Sequence, residues 1–291
     1  MEKAHYPMHL MCQALGVTRQ GLHAWQKRDH NGGGVRHKRR ESLKVVIAEL
    51  WDNGDGTDGV RRIHHLLLRA GHRVSPGLVH KLMKELGICG YVPPRKVRTT
   101  IPADDQDTRK DLLERQFDPN VWLPGQALVG DITYLRVGSS WLYLATVIDL
   151  ATRMVIGWSI ADHMRVELVQ DALTAAKASG IMKPKAIFHS DRGSVYTSAD
   201  YAKLAKDLDV HLSVGRVATC YDNAVAESFF ATFKKEMYSR HTFIDPAIAR
   251  RHTMAYIEGY YNRRRLHSTL GYRTPLEALQ AHQQNPTTKA A

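Results

Sequence analysis

"QALVGDITYLRVGSSWLYLATVIDLATRMVIGWSIADH", residues 126–163, sets the architecture. It holds three runs rich in β-branched and aromatic residues, "QALVGDITYLRV", "SWLYLATVIDL" and "MVIGWSIADH", separated by the turns "GSS" and "ATR". Runs of this length joined by tight turns predict an antiparallel meander of three strands. Downstream the texture alternates. "RVELVQDALTAAKASG" has helical spacing and stops at Gly180, and "KAIFHSD" is a fourth strand. "SADYAKLAKDL" is a helix with Ser198 as its cap, "VHLSVGRV" a fifth strand and "DNAVAESFFATFKKEMYS" a long final helix.

Three hairpin strands followed by helix–strand–helix–strand–helix predict an α/β domain over residues 121–240. Its fold would be a ribonuclease H-like mixed sheet flanked by helices, preceded by small all-α helix-turn-helix modules. Residues 8–27 read as helix, tight turn at Gly16 and helix, with Thr18 as a cap. A helix-turn-helix and a plain helical hairpin both fit this segment, residues 1–35. "NGGG" at 31–34 is a joint, and the basic run "RHKRR" follows it. Residues 36–92 form a second helical unit, "ESLKVVIAELWDN", "VRRIHHLLLRAGH" and "GLVHKLMKELGI", with Pro76 suited to a first helical turn. Arg61, Arg62 and Arg73 lie on its non-apolar face, which marks a DNA-binding domain. Residues 93–120, polar and proline-containing, read as a linker, and residues 241–291 as a helical basic C-terminal extension.

The chain has 41 basic and 29 acidic residues, a net charge of +12 and a pI near 9.6. A clustered surplus of that size points to a polyanionic partner, nucleic acid in most cases. Cys12, Cys89 and Cys220 have no CxxC spacing, which excludes a disulfide framework and a four-cysteine zinc site. No apolar run is long enough to span a bilayer, and "MEKAHYPMHLMCQ" has no signal-peptide pattern, so a cytoplasmic, nucleoid-associated location is expected.

Three acids fall at informative places. Asp131 is in the middle of the first strand, Asp191 ends the fourth and Glu227 is on the last helix, with 35 residues between it and Asp191. Each alone could be ordinary: a solvent-facing strand residue, a turn former, an exposed helix residue. If strands one and four are neighbours and the helix packs beside them, the three carboxylates converge. Hard divalent cations, Mg2+ or Mn2+ and two in number, would relieve their repulsion and could promote phosphoryl transfer. Lys234 is two helical turns after Glu227 on the same face, placed to contact a DNA backbone. Phe229, Phe230 and Phe233 read as core. Asp222 and Asn223 are candidate caps of the last helix, and Asp149 is a rival carboxylate read as structural. His189 and Ser190 are expected to shape the turn or to hydrogen-bond the metal-bound carboxylate, with Asn223 in a similar supporting role. In "YIEGYYNRRRLHSTLGYRTP" the tyrosines Tyr256, Tyr260 and Tyr261 are expected to pack, with Arg263, Arg264 and Arg265 near DNA.

The segments "GDITYL", "WLYLATVIDLATRMVIGWS", "HSDRGSVYTS", "DNAVAESFFATFKKE" and "YIEGYYNRRRLHSTLGYRTP" resemble, in order, the catalytic subunit of bacterial insertion-sequence transposases related to retroviral integrases. The likeness covers roughly residues 120–280, and "DGVRRIHHLLLRAGHRVSPGLVHKLMKELGI" is similar to the helix-turn-helix found upstream in that family. The resemblance implies that Asp131, Asp191 and Glu227 are the metal triad of a DDE enzyme. The implied activity is cleavage at the element's ends, followed by strand transfer into target DNA. It implies as partners the terminal inverted repeats, the target DNA, further copies of the chain in a dimer or larger assembly, and an upstream-frame protein. Ala218 and Thr219 stand where the family usually carries glycine and asparagine, and Val195 where relatives often have glutamine. A DNA-binding repressor without catalysis and a nuclease acting on RNA–DNA hybrids are the competing readings.

Overall fold

The computed structural model describes residues 6–30, 34–92, 109–215 and 223–284, and the chain divides into two units, Met1–Tyr91 and Val92–Ala291. In the first unit, α1 (Met8–Ala14) and α2 (Arg19–His30) are joined through Gly16, whose φ of 65° is a conformation that glycine adopts without strain. The hydroxyl of Thr18 accepts from the Gly21 N–H at 3.1 Å, the cap expected from sequence. Helix α3 (Val35–Asn53) starts earlier than expected: "RHKRR" forms its first turns instead of preceding it. Helices α4 (Val60–Arg69) and α5 (Pro76–Glu85) complete the unit. Leu43, Ile47, Ile63, Leu67, Val79, Leu82 and Met83 recur at helical spacing and form one buried core. Ser75 caps α5 through the Leu78 N–H, with Pro76 in the first turn. Glu85 of α5 accepts from Arg40 and pairs with Lys44, both on α3.

The second unit is built on a five-stranded sheet of order β3-β2-β1-β4-β5. Strands β1 (Ala127–Val137), β2 (Ser140–Asp149) and β3 (Val155–Ala161) form the expected antiparallel meander. Strands β4 (Ala186–Ser190) and β5 (Val210–Val214) add in parallel on the other side of β1. Helix α6 (Val166–Ala178) connects β3 to β4; the short α7 (Ser194–Thr197) and α8 (Ala199–Asp207) connect β4 to β5. Ser198 caps α8 through the Tyr201 N–H.

Side-chain alternation along the strands separates two apolar layers. One face of β1 and β2, with Leu128, Ala145 and Val147, packs against Leu168, Ala172 and Leu173 of α6 and Tyr201 and Ala205 of α8. The fit of α6 depends on Gly157: a Cβ there would lie 2.3 Å from the Ala172 carbonyl oxygen and 2.7 Å from the Ala176 Cβ. The other face, with Val129, Leu135, Val137 and Leu144, packs against α9 (Ala224–Glu236), whose Phe229, Phe230 and Phe233 are core as expected. That core also takes in Ala249 of α10 (Pro246–Met254) and Tyr256, Ile257 and Tyr261 of the π-helical turns over Ala255–Tyr261 that follow it. Helix α11 (Pro275–Gln284) ends the described chain. The stretch beyond 240, expected as an extension, thus adds to the second unit's core.

Residues 93–108 of the expected linker lie outside the described residues, as do Asp222, Ala218 and Thr219. From 109 onward the chain is docked rather than linking. Leu113 is in the core, the Leu112 N–H donates to the Ser213 hydroxyl at 2.8 Å, and Val214 bonds Lys110 through the backbone.

Strand β1 is unevenly paired. β2 accompanies it from Leu128 to Val137, whereas β4 pairs only with Ala127, Leu128 and Val129. Beyond that point α9 packs alongside β1, and the Asn223 Nδ2 donates to the Gly130 carbonyl at 3.1 Å. No hydrogen bond from the Asn223 side chain caps α9, so its role differs from the cap read in the sequence: it pins the start of the helix to the strand.

Candidate active site

Register places the first two acids. The parallel ladder ends at Val129↔His189, and Asp131 and Asp191 each lie two residues further along neighbouring strands. Glu227 lies in the first turn of α9, the helix pinned at Gly130. The Asp131 carboxylate accepts from the Ile132 N–H at 2.8 Å and that of Asp191 from the Gly193 N–H at 3.1 Å. Gly130 keeps the strands close, since a Cβ there would be 2.2 Å from the Phe188 ring.

The electrostatics link all three acids. Burial pushes the Asp131 carboxyl up to about 7, with the charges of Asp191 and Glu227 adding to the rise and the Ile132 N–H and Lys234 opposing it. Asp191 stands more open, yet the surrounding protein raises its carboxyl too, against the bond from Gly193. Among the described residues, no three His, Cys, Asp or Glu side chains are drawn tightly enough together to hold a metal ion. The donor set suits a hard cation nevertheless: three carboxylates, oxygen ligands only, with Asp131 raised first by burial and further by the other two acids.

Asp149 has a different environment. It is fully buried and accepts from the Gly125 N–H at 2.7 Å, the Thr152 N–H at 2.9 Å and the Thr152 hydroxyl at 2.6 Å. Those bonds shape the β2–β3 turn, the structural role expected of it. His189 directs Nδ1 to the Ser213 hydroxyl at 2.8 Å and lies 3.7 Å from Asp111, so it joins β4 to β5 and to the docked segment. The Ser190 hydroxyl donates to the Asp191 backbone carbonyl at 3.0 Å.

Comparison with known proteins follows this division of the chain. Residues 123–220 and 208–275 match models described as integrase core domain, and residues 38–96 match an HTH-like domain. The transposase InsF for insertion sequence IS3A of Escherichia coli (strain K12) is 33% identical over 273 residues, covering 94% of each chain. The chain belongs to the insertion-sequence transposases. The transposase for insertion sequence element IS629 of Shigella sonnei is 33% identical over 96% of this chain and 94% of its own. The insertion element IS600 uncharacterized 31 kDa protein, also of Shigella sonnei, is 34% identical over 91% of this chain and 96% of its own.

The protein is thus a DDE-type transposase, a polynucleotidyl transferase of DNA transposition, with a ribonuclease H-like core and an HTH-like helical domain. Of its expected DNA-facing residues, Arg61, Arg73, Arg263 and Arg264 are exposed. Arg62 is partly engaged, paired with the buried Asp58 at 2.8 Å. Arg265 is a correction. Its Nε and Nη2 donate to the two oxygens of buried Glu236 at 2.8 and 2.9 Å, and Tyr256 donates to the same carboxylate at 3.0 Å. With its Nε–Nη2 edge on Glu236 and Nη1 3.3 Å from the His267 Nε2, this mostly buried guanidinium is turned toward the protein rather than toward a phosphate. One signal in the sequence marked this: Glu236 falls at i+7 from Phe229 on the apolar stripe of α9, and a buried carboxylate needs a cation. No helix among the described residues is long and apolar enough to cross a membrane.

Proposed function

We propose that this transposase cuts DNA at the ends of its element and joins the freed 3′-hydroxyl to target DNA, using Mg2+ or Mn2+ held by Asp131, Asp191 and Glu227. What supports this reading is the register that carries Asp131 and Asp191 past the end of the β1–β4 ladder beside α9, which bears Glu227 in its first turn; burial, then Asp191 and Glu227, raise the Asp131 carboxyl. A site that accumulates unfavourable negative charge is one a divalent cation stabilises. When two such ions are bound, the chemistry they supply is activation of the attacking oxygen and stabilisation of the leaving one.

The protein's own residues do the positioning. Asn223 fixes the start of α9 beside β1, which sets the height of Glu227 against Asp131. Lys234 offers its ammonium to a phosphate beside the carboxylates, and its effect on Asp131 fits that place. The Ser190 hydroxyl holds the Asp191 backbone carbonyl, and the Gly193 N–H orients the Asp191 carboxylate. Arg61 and Arg73 of the HTH-like domain, and Arg263 and Arg264, bind phosphates along the terminal repeats and target. Joining two ends requires two or more copies on DNA.

The test is cleavage of terminal-repeat duplexes by wild type and Asp191→Asn with Mg2+. Nicking and strand-transfer products from wild type alone support the reading. Binding of the same ends with no product under any divalent cation would instead indicate a DNA-binding protein without catalysis.

A further inference from the structure

The β1–β2 hairpin carries an aromatic pair that lies outside both apolar layers. Tyr134 is 60% exposed and Trp141 44%, and their rings meet edge to face with centroids 5.5 Å apart at 81°. Arg136 stands beside them, directly opposite Trp141 in the ladder and on the same strand face as Tyr134. From α9, Lys234 brings its Nζ to 5.3 Å from the centre of the Tyr134 ring. The charge of that lysine also bears on Asp131, although Tyr134, three residues further along β1, stands on the opposite face of the strand.

The pair is exposed on rigid backbone. Leu135, Val137 and Leu142 around it are fully buried. The Tyr238 hydroxyl donates to the Arg136 carbonyl at 2.6 Å, and the Gly138 N–H donates to the Phe243 carbonyl at 2.8 Å. A scattered exposed aromatic needs no explanation. Two in contact, fixed on a strand and flanked by two cations, form a combination that suits a base and its phosphate. Cationic neighbours disfavour a purely apolar protein partner.

We propose that Tyr134 and Trp141 form a stacking platform for an unpaired nucleobase of bound DNA, with Arg136 and Lys234 on its flanking phosphates. The proposal rests on DNA being the chain's substrate, but the stacking itself does not require cleavage.

The experiment uses the full chain in EDTA, so that no reaction takes place, with a thymine-rich single strand carrying one 2-aminopurine and a fully paired duplex of equal length. Wild type should quench the 2-aminopurine. Tyr134→Ala and Trp141→Ala should each abolish most of the quench and weaken single-strand binding about 10-fold, the scale of one lost base–aromatic contact. Duplex binding should change less than about 2-fold, because its salt-dependent contacts are elsewhere. Tyr134→Phe should keep both properties. Circular dichroism and Tm should match wild type, since both side chains are exposed. Undiminished quenching in the double alanine variant overturns the platform. So does an equal loss of single-strand and duplex binding, or a change in oligomeric state with quenching intact. Failure of wild type to cleave with Mg2+, with the quench present, would count against the catalytic reading alone.

Discussion

Asp131 is a carboxylate whose protonation near neutrality follows from where β1 puts it. Its folded value of about 7 lies above the ordinary carboxylate value, so between about pH 4 and 7 the folded protein retains a proton that the unfolded chain releases. Stability from this group is therefore greatest in acid and falls as pH rises through that window. The full cost at pH 8 without metal is at most about 4 kcal/mol, less to the extent that water reaches a half-buried side chain. Asp131→Asn should accordingly raise Tm most at pH 8 in EDTA, less at pH 5, and leave it nearly unchanged below about pH 4, while abolishing DNA cleavage. Mg2+ should raise the wild-type Tm at pH 8 and have little effect on the variant, as thermal melts with and without the ion will show. These acids stood out in the sequence because Asp131 interrupts an apolar strand, Asp191 follows the end of another and Glu227 falls in the first turn of a helix. Tyr134 was not, since a tyrosine on a strand has the same pattern whether its ring is covered or bare.

At the level of elements, periodicity identified the meander, the capped helices at Thr18 and Ser198 and the apolar face of α9. What it missed were contacts between segments distant in sequence. Local pattern at residues 109–122 is polar, and only the Ser213 hydroxyl and the core around Leu113 show that the segment is docked. Arg265 looked like its exposed neighbours Arg263 and Arg264 until Glu236 was seen opposite it. Arg265→Met should therefore destabilise the protein by about 3–5 kcal/mol, because it leaves Glu236 buried without its cation. Glu236→Leu combined with Arg265→Met should recover much of that loss, measurable as urea midpoints. Gly157→Val should lower stability by a comparable amount, since α6 would have to move off β3.

Across the whole molecule, the surplus of +12 predicted a polyanionic partner, and the family to which the chain belongs acts on DNA. The charge count could not say which cations were free to contribute. With Arg265 internal and Arg61, Arg73, Arg263 and Arg264 exposed, alanine at each of these four should lower the slope of log affinity against log salt by about 0.9. Arg265→Met, in the fraction that remains folded, should leave the slope unchanged; titrations across a range of salt concentrations separate the two groups. One consequence follows from the half-paired central strand. Past Val129, no strand among the described residues pairs with that flank of β1, whose backbone groups are met instead by side chains: Asn223 at Gly130, Asp131 at Ile132 and Tyr238 at Arg136, with α9 alongside. Should that helix lift, an unprotected template for intermolecular β-pairing would be uncovered in the middle of the sheet. Asn223→Ala should therefore show itself first as precipitation on mild warming, before any broad loss of secondary structure.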